Sequence, residues 1–322
     1  MTINSQRSFR HFFLSIFFFD LFFLTLAFFV WAIRDQAVST TGYYSMLLIV
    51  LILILGAIYV PYRYYKNAPN ISINEESISF NKEKLNWTDL EEIEMTGKRP
   101  FKFMWERREG LMLKFKGITE RYIFDDLYEN TPAIKTFIQT ITLGQQLPNS
   151  TNSVFSGDQS IESGKFVYYK SYQLFCIEGI ALWLFCGGAF YAALRSIVEQ
   201  GNKQMFWPPT LFILIFLPFL STRMYYFGLS DKYLLVKNHN FFWIKKRYDL
   251  AGVKEVVFEQ RNRMPVTLRI INNDFTSQAF PAATLWSKKW MQLKQDLENK
   301  NIKVRNECGV SYEPFEFKLF ND

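Results

Sequence analysis

Histidine and cysteine are scarce in this chain of 322 residues. The two histidines, His11 and His239, lie far apart in the sequence. Of the three cysteines, Cys176 and Cys186 lie in one apolar stretch and Cys308 lies near the C-terminus. A histidine-based triad or zinc site needs more than these residues supply, and the cysteine spacing fits neither a disulfide framework nor a metal site. We therefore expect no metal site and no structural disulfide.

The sequence also lacks the motifs of nucleotide and nucleic-acid binding. It has no glycine-rich phosphate loop and no basic segment interleaved with aromatic residues, as RNA-binding proteins have. The carboxylate pairs Glu91-Glu92 and Asp125-Asp126 are adjacent in sequence, so their side chains diverge on a strand or a turn. These absences predict a protein that is not an enzyme, needs no cofactor and does not bind nucleic acid.

Long apolar segments dominate what is present. Aromatic residues make up 18% of the chain, and the apolar residues are concentrated at residues 12–33, 43–62, 172–194 and 206–220. A helix rises about 1.5 Å per residue, so about 20 residues cross the hydrocarbon core of a bilayer. The stretches predict four transmembrane helices in two hairpins. A cleaved signal peptide is disfavoured, because the first apolar run exceeds the usual length and no small-residue cleavage site precedes Arg34.

Basic residues flank these stretches unequally. Eight lie on the side of the N-terminus and the long loops, and three lie in the short loops. The eight are Arg7, Arg10, Arg63, Lys66, Lys165, Lys170, Arg223 and Lys232, and the three are Arg34, Arg195 and Lys203. Because basic loops stay in the cytoplasm, this asymmetry predicts a multi-pass protein of the bacterial inner membrane with its N-terminus and soluble domains in the cytoplasm.

The chain contains an internal repeat. An offset of 160 residues relates Arg63-Tyr64-Tyr65 to Arg223-Met224-Tyr225, and the same offset relates Asp89-Leu90 to Asp249-Leu250. Residues 147–164 are rich in serine, asparagine and glycine, which is typical of a flexible linker. The predicted order is hairpin, domain, linker, hairpin, domain and tail, at residues 1–66, 67–146, 147–168, 169–227, 228–306 and 307–322.

Alternating apolar residues predict an antiparallel sheet in each domain. Residues 71–73 and 77–80 fit a hairpin in the first domain, and residues 233–236 and 241–244 fit one in the second. An amphipathic helix is expected to close each domain. Its apolar stripe is Ile134, Phe137, Ile138 and Ile141 in the first domain, and Trp286, Trp290, Leu293 and Leu297 in the second.

This element order resembles that of the bacterial pleckstrin-homology-like (bPH) domains of membrane proteins. The resemblance covers both soluble domains and rests on the order of hairpin and domain and on the repeated Asp-Leu pair, with no diagnostic motif. It implies an α+β membrane protein with four transmembrane helices and two PH-like antiparallel β-sheet domains, each closed by a C-terminal helix. It also implies interaction roles without catalysis.

One basic cluster lies on the predicted hairpin of the second domain. Lys237 ends one strand, and Lys245, Lys246 and Arg247 lie on the return strand, a spacing similar to that of lipid-binding pleckstrin-homology domains. Alternate residues of a strand share a face, so Lys245 and Arg247 point the same way and Lys237 can join them. The alternative is a solvated strand edge that its lysines protect from aggregation. The first domain lacks the pattern, because residues 84–87 read Lys-Leu-Asn-Trp.

A second basic cluster is expected in a loop of the first domain. It comprises Lys98, Arg99 and Lys102, with Arg107 and Arg108 nearby. A lysine or arginine close to an anionic leaflet contributes about 1 kcal/mol of attraction. The net charge of +7 therefore indicates contact with a membrane surface.

Two acids interrupt the apolar stretches. Asp20 follows Arg10 by ten residues and Glu178 follows Lys170 by eight, so both are expected about 12–15 Å deep in the membrane. An ionised carboxylate there costs several kcal/mol unless it is paired or faces a cavity. Either the two acids form a proton or cation site, or they brace the helices through hydrogen bonds.

The sequence favours a non-catalytic inner-membrane protein whose cytoplasmic domains bind a protein partner or the lipids of the anionic membrane surface. A small channel or transporter that uses Asp20 and Glu178, working as a homo-oligomer, is one alternative. An immunity-type protein that neutralises a membrane-acting toxin is another.

Overall fold

The computed structural model describes residues 2–34, 39–101, 107–144, 154–155, 165–173, 176–200, 207–260 and 265–308. The chain divides into two compact units, Met1–Pro148 and Asn149–Asp322. The division falls inside the predicted linker, residues 147–168. Both units combine apolar helices with antiparallel sheets, so the predicted α+β class is confirmed.

Two long apolar helices form a hairpin in the first unit. A π-helical turn, Phe9–Phe13, leads into α1, Leu14–Ile33, and α2 is Thr40–Asn67. The Ser39 side chain caps α2 by accepting a hydrogen bond from the N–H of Gly42 at 3.1 Å. Many of the large apolar side chains of both helices are exposed, as helices surrounded by lipid require.

The described part of the first unit holds eight short strands in two sheets. Strands β1 to β4 pair antiparallel in sequence order and are Ile3–Asn4, Ile71–Ile73, Ser77–Phe80 and Glu83–Asn86. In the second sheet β5, β6 and β8 all pair with β7; strands β5 to β8 are Leu90–Glu94, Lys98–Pro100, Arg107–Phe115 and Arg121–Phe124. The unit closes with α3, Thr131–Leu143, which has a proline in its first turn, a position that proline favours.

The helices of the second unit are α4, Ile177–Gln200, and α5, Trp207–Ser221. Across the described residues, three helical segments are long and apolar enough to cross a membrane: Phe9–Ile33, Thr40–Asn67 and Ile177–Arg195. The described α5 has 15 residues, which is shorter than the about 20 that a span needs. Three of the four predicted spans therefore have suitable helices.

Two sheets and a closing helix follow in the second unit. The first sheet has the order β10-β11-β12-β13-β9, and β9 to β13 are Val154–Phe155, Val167–Tyr169, Tyr225–Leu229, Tyr233–Asn238 and Lys245–Asp249. The second has the order β16-β15-β14-β17, and β14 to β17 are Val253–Glu259, Thr267–Asn272, Ser277–Pro281 and Lys303–Asn306. The closing helix, α6, is Ser287–Asn299.

Each helix hairpin is inserted between two neighbouring strands of a sheet. β1 precedes α1 yet pairs with β2, which follows α2, and Ile3 lies opposite Ile73. In the second unit, β10 precedes α4 and pairs with β11, which follows α5, so Tyr168 lies opposite Gly228. The predicted domain boundary at 66/67 therefore separates two strands of one sheet, and the boundary at 227/228 falls inside β11. Strands of two to five residues carry too little periodicity to reveal this pairing.

An apolar core fills each unit. In the first unit Phe12 and Tyr64, from the two ends of the helix hairpin, are buried among the side chains of the sheets and of α3. In the second unit the core centres on Trp290 of α6, whose ring centroid lies 4.8 Å from that of Phe258 and 5.7 Å from that of Phe227. Burying an aromatic side chain of this size contributes about 1.5–3 kcal/mol.

The predicted strand at residues 241–244 is wrong, because these residues form the loop between β12 and β13. The Asn238 side chain ends β12 early. Its Oδ1 accepts hydrogen bonds from the N–H groups of Asn240 and Phe241, both at 2.9 Å. An asparagine that bonds the backbone in this way replaces the next ladder bond with a turn.

Candidate functional site

The strand register brings three basic residues of the second unit onto one face. Lys237 lies directly opposite Lys245, and Leu235 lies opposite Arg247. Residues opposite each other share a face, and so do alternate residues of one strand. Lys237, Lys245 and Arg247, which we call the basic face, therefore point the same way, as their spacing predicted. All three are half-buried.

Tyrosine side chains line the basic face. Lys237 Nζ lies 5.4 Å from the ring centroid of Tyr168, and the Arg247 guanidinium lies 4.7 Å from that of Tyr233. A cation over an aromatic ring gains about 0.5–1 kcal/mol at an exposed site. These contacts help to position the charged groups.

Lys246 does not belong to the basic face. It lies opposite the fully buried Val236, on the other side of the sheet. Its Nζ donates a hydrogen bond to Oε1 of Gln278 at 2.8 Å and lies 5.5 Å from the ring centroid of Phe280. Lys246 thus contacts the second sheet of its unit and lies on the face away from the other three basic residues of the predicted cluster.

A cleft of about 440 Å³ borders the basic face. Its lining includes Lys170, Gln173, Tyr226 and His239, and Tyr226 lies opposite Lys237 in the sheet. Burial lowers the pKa of His239 below its usual value, and the charge of Lys170 lowers it further. The imidazole is therefore neutral at pH 7, and Lys170 and Lys237 supply the positive charge beside the cleft.

The sequence offered no signal for this cleft. Its lining residues come from the segment before α4, from β11 and from the loop after β12, which are brought together only by the pairing of β10 with β11. Lys170, Tyr226 and His239 are therefore functional candidates that sequence reasoning missed. The one available clue was the Asn-His-Asn run at residues 238–240, which is typical of a turn.

The basic cluster of the first unit does not lie wholly in a loop, as predicted, but partly in a strand. Lys98 and Arg99 lie in β6, not in a loop, and consecutive strand residues point to opposite faces. Arg99 forms an ion pair with Glu94, and its Nε donates a hydrogen bond to the carbonyl of Gly110 at 3.4 Å. Lys102 lies outside the described residues. Arg99 therefore stabilises its own sheet.

Arg108 also contributes to the packing of the first unit. Its side chain is buried, and its guanidinium lies 3.8 Å from the ring centroid of Phe101. An Nη atom of Arg108 donates a hydrogen bond to the Tyr64 hydroxyl at 3.3 Å. Arg108 therefore links β7 to α2.

The two acids of the apolar stretches are not equivalent. Asp20 lies well inside α1, and its Oδ1 is buried without a hydrogen-bond partner in the described part of the chain. Glu178 is the second residue of α4. The depth predicted for it counted helical residues from Lys170, whereas residues 170–172 are not helical. A carboxylate in the first turn stabilises a helix by its interaction with the N-terminal dipole, which gives Glu178 a structural role.

No group of three or more histidine, cysteine or acidic residues could hold a metal ion in the described ranges. No protein-family model matches the chain, and no curated protein matches it either.

Proposed function

We propose that the chain is a non-catalytic, multi-pass protein of the bacterial inner membrane whose second soluble unit binds anionic lipid headgroups. In this proposal α5 belongs to a fourth span, and both soluble domains lie in the cytoplasm. The fold expected for the soluble domains still rests on the resemblance to bPH-like membrane proteins.

One observation carries the proposal: Lys237 lies directly opposite Lys245, with Arg247 on the same face. A phosphate at this face accepts charge-assisted hydrogen bonds from the ammonium and guanidinium groups. The adjoining cleft offers space for the rest of a headgroup, with Lys170 at its wall.

The position of the cleft supports a lipid as the source of the phosphate. Two of its lining residues, Lys170 and Gln173, immediately precede α4, which is apolar and long enough to cross a membrane. A site at the end of a spanning helix lies at the level of the headgroups. The attraction of an anionic leaflet for basic residues adds to the affinity.

The channel alternative has less support. It needs two acids at matched depth, and Glu178 lies in the first turn of α4. Asp20 alone offers one carboxylate inside an apolar helix. Its Oδ1 has no hydrogen-bond partner in the described residues, so bracing through hydrogen bonds gains no support from this atom either.

The test of lipid binding uses full-length protein in a non-ionic detergent, titrated with short-chain phosphatidylglycerol and with the matching phosphatidylcholine. The variant Lys237→Gln/Lys245→Gln/Arg247→Gln should bind the anionic lipid roughly a hundredfold more weakly, at about 1 kcal/mol per basic residue. Wild-type binding should also weaken as salt is added, because exposed charges are screened.

The matched control is Lys288→Gln/Lys289→Gln/Lys294→Gln, which removes the same charge from α6. This variant should keep most of the affinity. Equal losses from the two triple variants would mean that net charge alone attracts the lipid. Equal binding of the two lipids by wild-type protein would refute headgroup recognition.

A further inference from the structure

The loop between β12 and β13 carries three consecutive aromatic side chains, of which the first is half-buried and the other two are exposed. We call Phe241, Phe242 and Trp243 the aromatic tip. Phe242 is 83% exposed and Trp243 is 65% exposed, and the ring centroid of Trp243 lies 5.0 Å from that of Phe242 and 5.2 Å from that of Phe241. Exposing the apolar rings of such a cluster to water is unfavourable in free energy.

The repeat provides an internal comparison for the aromatic tip. In the first unit, the corresponding strands β3 and β4 are joined by Asn81-Lys82, a polar turn in which Asn81 has a φ of 55°. Two residues therefore suffice to close this hairpin. The six-residue loop of the second unit, with its exposed rings, is not needed for the fold of the sheet.

Hydrogen bonds fix the aromatic tip at the C-terminal end of α5. Asn238, which is buried, donates from Nδ2 to the carbonyl of Ser221 at 2.7 Å. Asn240 donates from Nδ2 to Oγ of the same serine at 2.7 Å, and the N–H of His239 donates to the carbonyl of Met224 at 2.9 Å. Ser221 is the last residue of α5.

A further bond ties the loop to the start of α4. Gln173 donates from Nε2 to Oδ1 of Asn240 at 2.8 Å, four residues before α4 begins at Ile177. The aromatic tip is thus held beside the ends of both helices of this hairpin. The ends of membrane-spanning helices mark the boundary between hydrocarbon and water, where tryptophan and other aromatic side chains are favoured.

We propose that the aromatic tip is immersed in the interfacial layer of the bilayer, so that the lipid itself covers Phe242 and Trp243. Lys245 then follows at the headgroup level, where its charge belongs. The sheet of the second unit is consequently held against the membrane by its helix hairpin and by its own loop. This inference rests on α4 and α5 lying in the membrane, and it needs no anionic lipid.

The experiment uses full-length protein in phosphatidylcholine vesicles at high salt, conditions that remove headgroup attraction but not apolar immersion. With the three native cysteines replaced by alanine, an environment-sensitive fluorophore is attached at Phe242→Cys. The control is Asp231→Cys, a fully exposed position just before β12, at the end of the strand away from the loop. The length of β12, about 17 Å, separates this end of the strand from the loop. Trp243→Cys serves as a second probe if Phe242→Cys misfolds.

Immersion predicts blue-shifted emission at position 242, quenching by nitroxide-labelled lipid and iodide quenching several-fold weaker than at position 231. Iodide quenching equal to that at position 231 would overturn the proposal. Protection from iodide without quenching by the labelled lipid would mean that protein covers the tip, which also overturns it. Immersion with no preference for phosphatidylglycerol in the titration above would leave this inference standing while the headgroup proposal fails.

Discussion

At the scale of single residues, the groups whose burial costs the most free energy form ion pairs away from the proposed site. Arg269 and Glu259 on neighbouring strands are each 1% exposed, and their charged groups approach to 3.0 Å. Lys135 and Asp125 form a similar pair in the first unit at 2.6 Å. Each member is tolerated in the core only because the other is present.

Removing one member of such a pair should destabilise the second unit strongly. Arg269→Met removes the ion-pair partner of the buried Glu259, which costs about 3–5 kcal/mol. A lower midpoint of thermal unfolding in detergent measures this loss. The double variant Arg269→Met/Glu259→Leu should recover most of it, because no buried charge remains.

The partly exposed pair Arg121 and Glu83, at 2.6 Å, is the control. Solvent screening reduces such a pair to about 0–1 kcal/mol, so Arg121→Met should change the midpoint little. A larger effect from Arg121→Met than from Arg269→Met would contradict this assignment of stability to burial.

At the scale of secondary structure elements, Gly110 is required where β7 meets β8. A Cβ added there would lie 2.6 Å from the carbonyl oxygen of Ile123 and 3.2 Å from the Cα of Phe124. These are backbone atoms of a paired strand and cannot rotate away. Gly110→Ala should therefore cost about 1–3 kcal/mol, measured as a lower thermal midpoint of the first unit.

The matched control for Gly110 lies in α4. No described atom lies within 4 Å of a Cβ built at Gly187. Gly187→Ala should leave stability unchanged or raise it by up to about 1 kcal/mol, because alanine is the better helix former. Equal losses at the two glycines would show that the close strand approach is not the cause.

Patterns within one element were predictable from the sequence. The apolar lengths located α1, α2 and α4, and the two-residue period of a strand placed Lys245 and Arg247 on one face. The helical period also located α6, in which Trp290 is buried. Trp286, assigned to the same stripe, is instead the N-cap residue and is 59% exposed. Helix ends are set by local backbone bonds that a period does not contain.

Pairings between distant segments were not predictable. β1 has two residues, and its partner β2 lies beyond a whole helix hairpin, so neither shows its pairing in its own residues. The aromatic run at 241–244 has high strand propensity, yet the Asn238 side chain turns the chain there. The cleft is formed by a pairing of distant strands and by the turn at Asn238, so its residues could not be predicted from the sequence.

At the scale of the whole molecule, the basic flanking residues make orientation testable. In a cysteine-free background, Lys294→Cys on α6 should react with an impermeant reagent only after the cells are permeabilised, because the positive-inside asymmetry places it in the cytoplasm. Thr41→Cys, at the start of α2, should react in intact cells. The reverse pattern would place both soluble units outside.

In the proposed membrane topology, the insertion of each helix hairpin within a sheet sets the order of biogenesis. During translation β1 leaves the ribosome before α1 and α2, whereas its partner β2 follows them, with 70 positions between Ile3 and Ile73. Closing so long a loop by diffusion is entropically costly, but insertion of the antiparallel helices brings its two ends together. The soluble unit then completes its sheet only once the hairpin has been integrated correctly. A failed integration leaves a strand edge unpaired, which quality-control proteases can recognise.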